Sequence, residues 1–211
     1  MDLDAVEVRV LGCLIEKQRT TPDVYPLSLN ALRAACNQST NRDPVVAYDE
    51  PTLRDGLHRL ARRRWARFAS GARAAKYRHL LEENPGWTVE EQALMAVLML
   101  RGAQTPGELR ARVERLYSFA DQAALEGTLA RLMERGFVAR HARRPGQKED
   151  RFAHRLSEDL EDEPAAALPQ EPAARASNGD ERDDRLERIE RELAALAAQV
   201  RELRAATGLE P

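Results

Sequence analysis

Leucines fall at helical spacing twice along this chain, and each run ends on an aromatic. Leu53, Leu57 and Leu60 precede Trp65, and Leu125, Leu129 and Leu132 precede Phe137, with one common offset across all four pairs. Other features recur around these runs. Thr21-Pro22 and Thr105-Pro106 each open a helix, and Tyr77, His79 and Leu80 are answered by Phe152, His154 and Leu156. Each copy reads helix, helix, leucine-striped helix, hairpin, which is the order of a winged helix-turn-helix. The fold class expected is mainly α with small β-hairpins: two tandem winged helix-turn-helix domains, then a linker and a heptad helix.

Local signals set the boundaries. Asp4 with Glu7 has capping-box spacing, and Leu3, Val6, Val10, Cys13 and Leu14 make an apolar stripe over a helix from about Leu3 to Gln18. A second helix is expected from Leu27 to about Asn37, burying Leu29, Leu32 and Cys36. The polar segment from Gln38 to Tyr48 is long for the turn that follows, which makes it a candidate interaction loop built on Asn37, Gln38, Asn41, Arg42 and Pro44. Pro51 suits the first turn of the third helix, which should end near Arg64. Strands are expected over Trp65–Ala69 and Lys76–Leu80.

The second copy is more compact. Thr88 with Glu91, and Thr105 with Glu108, are capping boxes; Gly102 and Gly136 are stops; Asp121 is a cap. The second helix here should reach about Tyr117. The strands expected are Phe137–Arg140 and Arg151–Leu156, joined by a wing over Arg143, Arg144 and Lys148. The domains predicted are 1–83 and 84–156, a linker 157–184 rich in acid, Pro and Ala and read as disordered, and a helix 185–207. In that last segment Leu186, Ile189, Leu193, Leu196, Val200 and Leu203 alternate spacings of three and four. This is either a coiled-coil seam joining a homodimer or an amphipathic helix folded back on the body.

Charge changes the picture only when it is divided. Residues 1–156 carry 26 Lys+Arg against 20 Asp+Glu, and residues 157–184 carry ten acids against Arg175 and Arg182. A basic body is followed by an acidic strap. The cysteines, Cys13 and Cys36, are far apart in sequence with no His or Cys beside them, so they read as buried small hydrophobes with no metal or cofactor role. No apolar run reaches membrane length, and Asp2 and Asp4 stand where a signal peptide would be basic. A cytoplasmic protein without membrane contact is expected.

Longer motifs carry a resemblance. Glu16-Lys17-Gln18 with Thr21-Pro22, Tyr25-Pro26-Leu27-Ser28-Leu29-Asn30, Cys36-Asn37-Gln38 with Asn41-Arg42 and Pro44-Val45, and the run from Leu100 to Arg110 resemble the YceH-like family of uncharacterised bacterial proteins. The resemblance implies a tandem winged-helix fold with a coiled-coil-like tail, and no established activity.

Two readings of function follow. In the first, duplex DNA is bound by third helix and wing, as a regulatory or nucleoid-associated protein would do, through Arg54, His58, Arg59, Arg62 and Arg63 with Arg73, Lys76 and Arg78 in the first copy. In the second copy the contacts are Arg131, Arg143, Arg144 and Lys148. Arg54 and Arg59 are the candidates for reading guanine, and Arg62 to Arg64 for meeting phosphate. Against this stand Asp49, Glu50, Asp55, Asp121 and Glu126 near the N-termini of the third helices, and a net charge of only +6 on the body. In the second reading the chain is an adaptor that docks a protein partner and binds no DNA. An enzyme is not expected, because His58, His79, His141 and His154 have no partner at catalytic or ligand spacing.

Overall fold

The structure is a computed structural model, and it describes residues 3–69, 75–143 and 149–157. The first half runs α1 (Ala5–Thr20), a short 3-10 turn (Pro22–Val24), β1 (Leu27–Ser28), α2 (Leu29–Cys36), α3 (Glu50–Arg62), β2 (Ala66–Ala69) and β3 (Lys76–His79). The second runs α4 (Val89–Arg101), α5 (Pro106–Val113), α6 (Gln122–Glu134), β4 (Val138–His141) and β5 (Arg151–His154). The protein is therefore mainly helical with two small antiparallel sheets, one ordered β1-β3-β2 and the other β4-β5. Gln104 bridges Phe152 where β1 pairs with β3 in the first half, so the second sheet carries a one-residue remnant of the third strand.

Side-chain capping fixes where the helices begin. Asp4, Thr88 and Thr105 each close a reciprocal capping box with Glu7, Glu91 and Glu108, and Ser28, Asp49 and Asp121 accept from the backbone three residues on. Gly102 and Gly136, with φ of 69° and 75°, supply the left-handed residue after α4 and α6. α2 is shorter at both ends than its apolar pattern suggests. Leu27-Ser28 is drawn into the sheet, Asn37 leaves to hold a loop, and Leu29 stays half-buried. α5 stops at Val113 rather than near Tyr117, because Leu116 and Tyr117 turn back onto the Val113 carbonyl.

The central pair is α1 and α4. An amphipathic stripe was expected of α1, yet all ten residues from Glu7 to Glu16 are buried, as are all ten from Glu91 to Leu100 in α4. The stripe faces its own half and the remaining faces meet the other, so one hydrophobic core runs through both halves. Gly12 marks the closest approach, where an added Cβ would lie 2.9 Å from Leu100 Cγ and 3.2 Å from Met99 Cβ. Aromatic rings extend this seam. Trp87 sits edge-on to both Trp65 and Phe137, at 5.8 and 5.2 Å between centroids, so the repeated aromatics meet through one indole.

Backbone contacts tie each half to the other. Leu3 N–H donates to Leu156 O, and Trp87 N–H to Leu81 O, both at 2.7 Å. This geometry corrects the repeat alignment. Leu81, buried like Leu156, is its counterpart, while Leu80 matches Arg155, since Leu80 and Arg155 N–H donate to the carbonyls of Trp65 and Phe137. Cys13 and Cys36, distant in sequence, are buried neighbours on α1 and α2. The hydrogen bond to the Cys13 thiol, together with burial, pushes the Cys36 thiol well above its ordinary range.

His79 and His154 occupy equivalent places at the ends of β3 and β5. In each, Nδ1 accepts the backbone N–H two residues on, from Leu81 and Leu156, and His79 Nε2 donates to Gln18 Oε1 at 2.5 Å. Burial holds both rings neutral, with pKa lowered from 6.5 to about 4. A folded value below the unfolded one means that the unfolded chain binds more protons between pH 6.5 and 4. The stability is therefore intact above pH 6.5 and lost on acidification through that window. Acidification from pH 7 to 5 should cost about 2 kcal/mol per histidine, read from urea midpoints, and His79→Gln with His154→Gln should flatten the dependence. Gly12→Ala should destabilise by about 1–3 kcal/mol in the same assay, because the α1–α4 approach leaves no room for a methyl group.

Candidate nucleic-acid interface

Arginines of the third helices divide into two sets according to which way the helix turns them. Arg59 and Arg63 point inward over the N-terminus of α1. Arg59 lies 2.6 Å from Asp4 and 3.6 Å from Glu7, and Arg63 3.4 Å from Glu7. Their counterparts in α6 do the same over α4, where Glu91 takes Arg135 at 2.8 Å and Arg131 at 4.0 Å. Glu7 and Glu91 are the third residues of their capping boxes and are almost wholly buried. A buried carboxylate needs a cation, and the leucine-striped helix above it supplies one. Nothing in the leucine spacing signals this, although the two glutamates and two pairs of arginines recur in the sequence.

The outward set in the first half is Arg54, His58 and Arg62, four residues apart on one ridge of α3 and all exposed. His58 meets Phe68 on β2 edge-on at 5.7 Å between ring centroids, which joins the ridge to the hairpin. Phe68, 43% exposed, stacks at a tilt on Tyr77 at 5.2 Å, and Arg67 beside it is exposed. Among the described residues no carboxylate pairs with Arg54, Arg62 or Arg67. Arg67 and Phe68 escaped sequence reasoning because a strand's outward residues are apparent only once its register is known. Lys76 is half-buried on β3, and Arg78 is turned toward Glu83 at 3.4 Å. Arg73, Arg144 and Lys148 lie outside the described residues, as do Leu186, Ile189, Leu193, Leu196, Val200 and Leu203.

The second half presents a different face. Positions equivalent to Arg54, His58 and Arg62 are Glu126, Ala130 and Glu134. Between α6 and the β4-β5 hairpin runs a groove of about 890 Å³, floored by Leu129, Met133 and Phe152 and bordered by Glu126, Glu149 and Asp150 with Arg140 and Arg143. Arg140 pairs with Asp150, which also accepts the Arg143 backbone N–H at 2.9 Å. These contacts hold the Asp150 carboxyl below its usual range.

The loop between α2 and α3 is fastened to the body at several points and exposed between them. Asn37 closes its ends by donating to Tyr48 O at 2.8 Å and accepting Tyr48 N–H at 2.9 Å. Arg9 of α1 holds its far side through Pro44 O at 2.5 Å. Arg42 is buried and forks onto Glu16, at 3.2 Å from Nη1 and 2.5 Å from Nη2, with Gln38 Oε1 at 2.9 Å from Nη2. Asn41, in the left-handed region at φ 61°, takes a bond from Arg101 of α4. Exposed positions are left at the tip, Ser39 and Thr40, and at Asp43, Pro44 and Val45, the last 59% exposed.

Residues 3–147 match a family model described as a protein of unknown function, DUF480. The chain belongs to that family. Its relatives include UPF0502 proteins of Pelobacter propionicus, 52% identical over 164 residues, and of Geobacter sulfurreducens, 49% identical over 173 residues. The first alignment covers 76% of this chain and 75% of the relative, the second 80% and 79%. A UPF0502 protein of Solibacter usitatus is 50% identical over 160 residues, or 75% and 78% of the two chains. The family of uncharacterised bacterial proteins that the motifs resemble is thus the one to which the chain belongs, and its description carries no activity. Among the described residues no helix is long and apolar enough to cross a membrane.

The division of the DUF480 arginines into two sets can be measured. Arg59→Ala leaves Glu7 short of its cation and should cost about 1–3 kcal/mol in urea unfolding, whereas Arg62→Ala, on the open ridge, should stay within about 0.5 kcal/mol of the parent.

Proposed function

We propose that this protein is a tandem winged-helix DNA-binding protein whose first half makes the principal contact. The observation that carries this reading is the ridge of Arg54, His58 and Arg62, continuous with Arg67 and Phe68 on the hairpin and free of paired carboxylates among the described residues. In this fold the third helix enters the major groove and the hairpin lies along the backbone. Arg54 and Arg62, two turns apart on one helix face with His58 between them, can reach separate phosphates or base edges, and Arg54, nearer the N-terminus of α3, is the one placed for a base. Asp55, exposed beside the ridge, disfavours close approach at one flank and keeps the affinity moderate.

The second half supports a subsidiary reading, in which this protein also docks a protein partner. Its equivalent ridge is acidic and its groove has an apolar floor, features that repel phosphate and suit a basic, apolar peptide. On this reading the copies divide the work, with nucleic acid at one and protein at the other.

Binding of the full chain to a random-sequence duplex, followed by fluorescence anisotropy over a salt series, tests the first reading. Affinity should fall steeply with salt, and Arg54→Ala with Arg62→Ala should weaken it at least tenfold and reduce the log–log slope by about 2. Absence of binding at about 50 mM salt would refute it.

A further inference from the structure

A second concentration of guanidinium groups lies away from the ridge, at the seam between the halves. Glu16, near the C-terminal end of α1, accepts both Nη atoms of Arg42 and one of Arg115, with Lys17 Nζ at 3.9 Å. Arg42 is held rigidly there, since Nε donates to Ala35 O at 3.0 Å and Nη1 to Asn41 O at 2.8 Å. Arg101, the last residue of α4, donates to the Oδ1 of that same Asn41, a neutral partner. Arg112 of α5 is 3.9 Å from Glu108, but Glu108 sits nearer Arg151, at 3.1 Å.

Among the described residues, Lys17, Arg42 and Arg115 therefore share Glu16, Arg112 has part of Glu108, and Arg101 rests on the neutral Asn41. Burial, followed by the charges of Arg112, Arg115 and Arg42, holds Arg101 below the usual arginine range, and Glu16 works in the opposite direction. The surplus is reachable from solvent. Arg112 and Arg115 are 32% and 44% exposed in their side chains, and Arg101 is half-buried.

We infer that this seam binds a small phosphate-bearing anion, with Arg101 and Arg112 as its direct ligands, Arg115 beside them, and Asn41 and Arg42 as positioning residues. The planar fork of arginine matches the oxygens of a phosphoryl group, and a dianion would balance charge that Glu16 and Glu108 leave over. Its direct ligands lie on α4 and α5 of the second half, and Arg101 is oriented by Asn41 on the loop of the first. Occupancy stabilises the folded chain because the cluster is assembled only when the two halves are packed together.

Thermal unfolding of the full chain in inorganic phosphate or pyrophosphate, against chloride at equal ionic strength, is the test. The Tm should rise by about 3–6 °C at a concentration tenfold above Kd. Arg101→Gln or Arg112→Gln should weaken Kd for the anion at least tenfold. Arg112 lies at the edge of the cluster, so its variant keeps the Glu16 contacts whatever happens to Arg101→Gln. An equal rise in chloride, or unchanged Kd in both variants, would overturn the inference. So would a result in which the variants lose affinity for a random duplex while the parent shows no phosphate-specific rise, because the cluster would then serve the DNA backbone. Loss of duplex binding in the ridge variants alone leaves the anion result independent.

Discussion

The close approach of α1 and α4 at Gly12 is the constraint from which the other features follow. Two helices buried on every side leave no solvent-facing strip for charged residues, yet Glu7, Arg9, Glu16 and Glu91 all lie on them. Each must find a partner inside the protein, and Arg9 finds the carbonyls of Cys36 and Pro44. Glu7 draws on Arg59 and Arg63, Glu91 on Arg131 and Arg135, and Glu16 on Arg42 and Arg115. The elements that supply these arginines, α3, α6, the Asn37 to Tyr48 loop and the turn after α5, are thereby fixed against the central pair. Their register about it is set by hydrogen-bonded charge as well as by leucine packing.

What the surface can do depends on what that internal pairing leaves over. Of the arginines on α3 and at its C-cap, Arg59 and Arg63 are committed to α1 while Arg54 and Arg62 remain outward, and on α6 the equivalent outward positions are Glu126, Ala130 and Glu134. The halves resemble each other in the core and differ outside, which is the pattern expected when a duplicated fold keeps its packing and its faces diverge. The basic ridge and the apolar-floored groove are therefore separate surfaces of different chemistry.

Much of this architecture was legible in the sequence because helix starts are local chemistry. Asp4 with Glu7, Thr88 with Glu91 and Thr105 with Glu108 state their own hydrogen bonds, and the leucine runs state the faces of α3 and α6. Features that depend on a distant segment were not legible. An i, i+4 spacing places Arg59 with Arg63 and Arg54 with His58 on two faces but does not say which face meets a buried glutamate. The burial of α1 on all sides requires α4, more than seventy residues away. Leu80 and Leu81 are both apolar, and the strand's end alone decides which of them turns inward. The loop residues Asn37, Asn41 and Arg42 have the polarity of a binding segment, and the structure employs them as fastenings.

Those fastenings have a consequence for how the chain tolerates change. Because Asn37 and Tyr48 clasp each other at the two ends of the loop and Asn41 to Pro44 are fastened to the body, the start of α3 is positioned without reference to Ser39 and Thr40 at the tip. The tip at Ser39 and Thr40 can lengthen or shorten while the clasp holds, since the entropy of a closed loop grows only slowly with its length. Descendants of this fold can therefore acquire a new segment at that point without displacing the helix that carries the basic ridge.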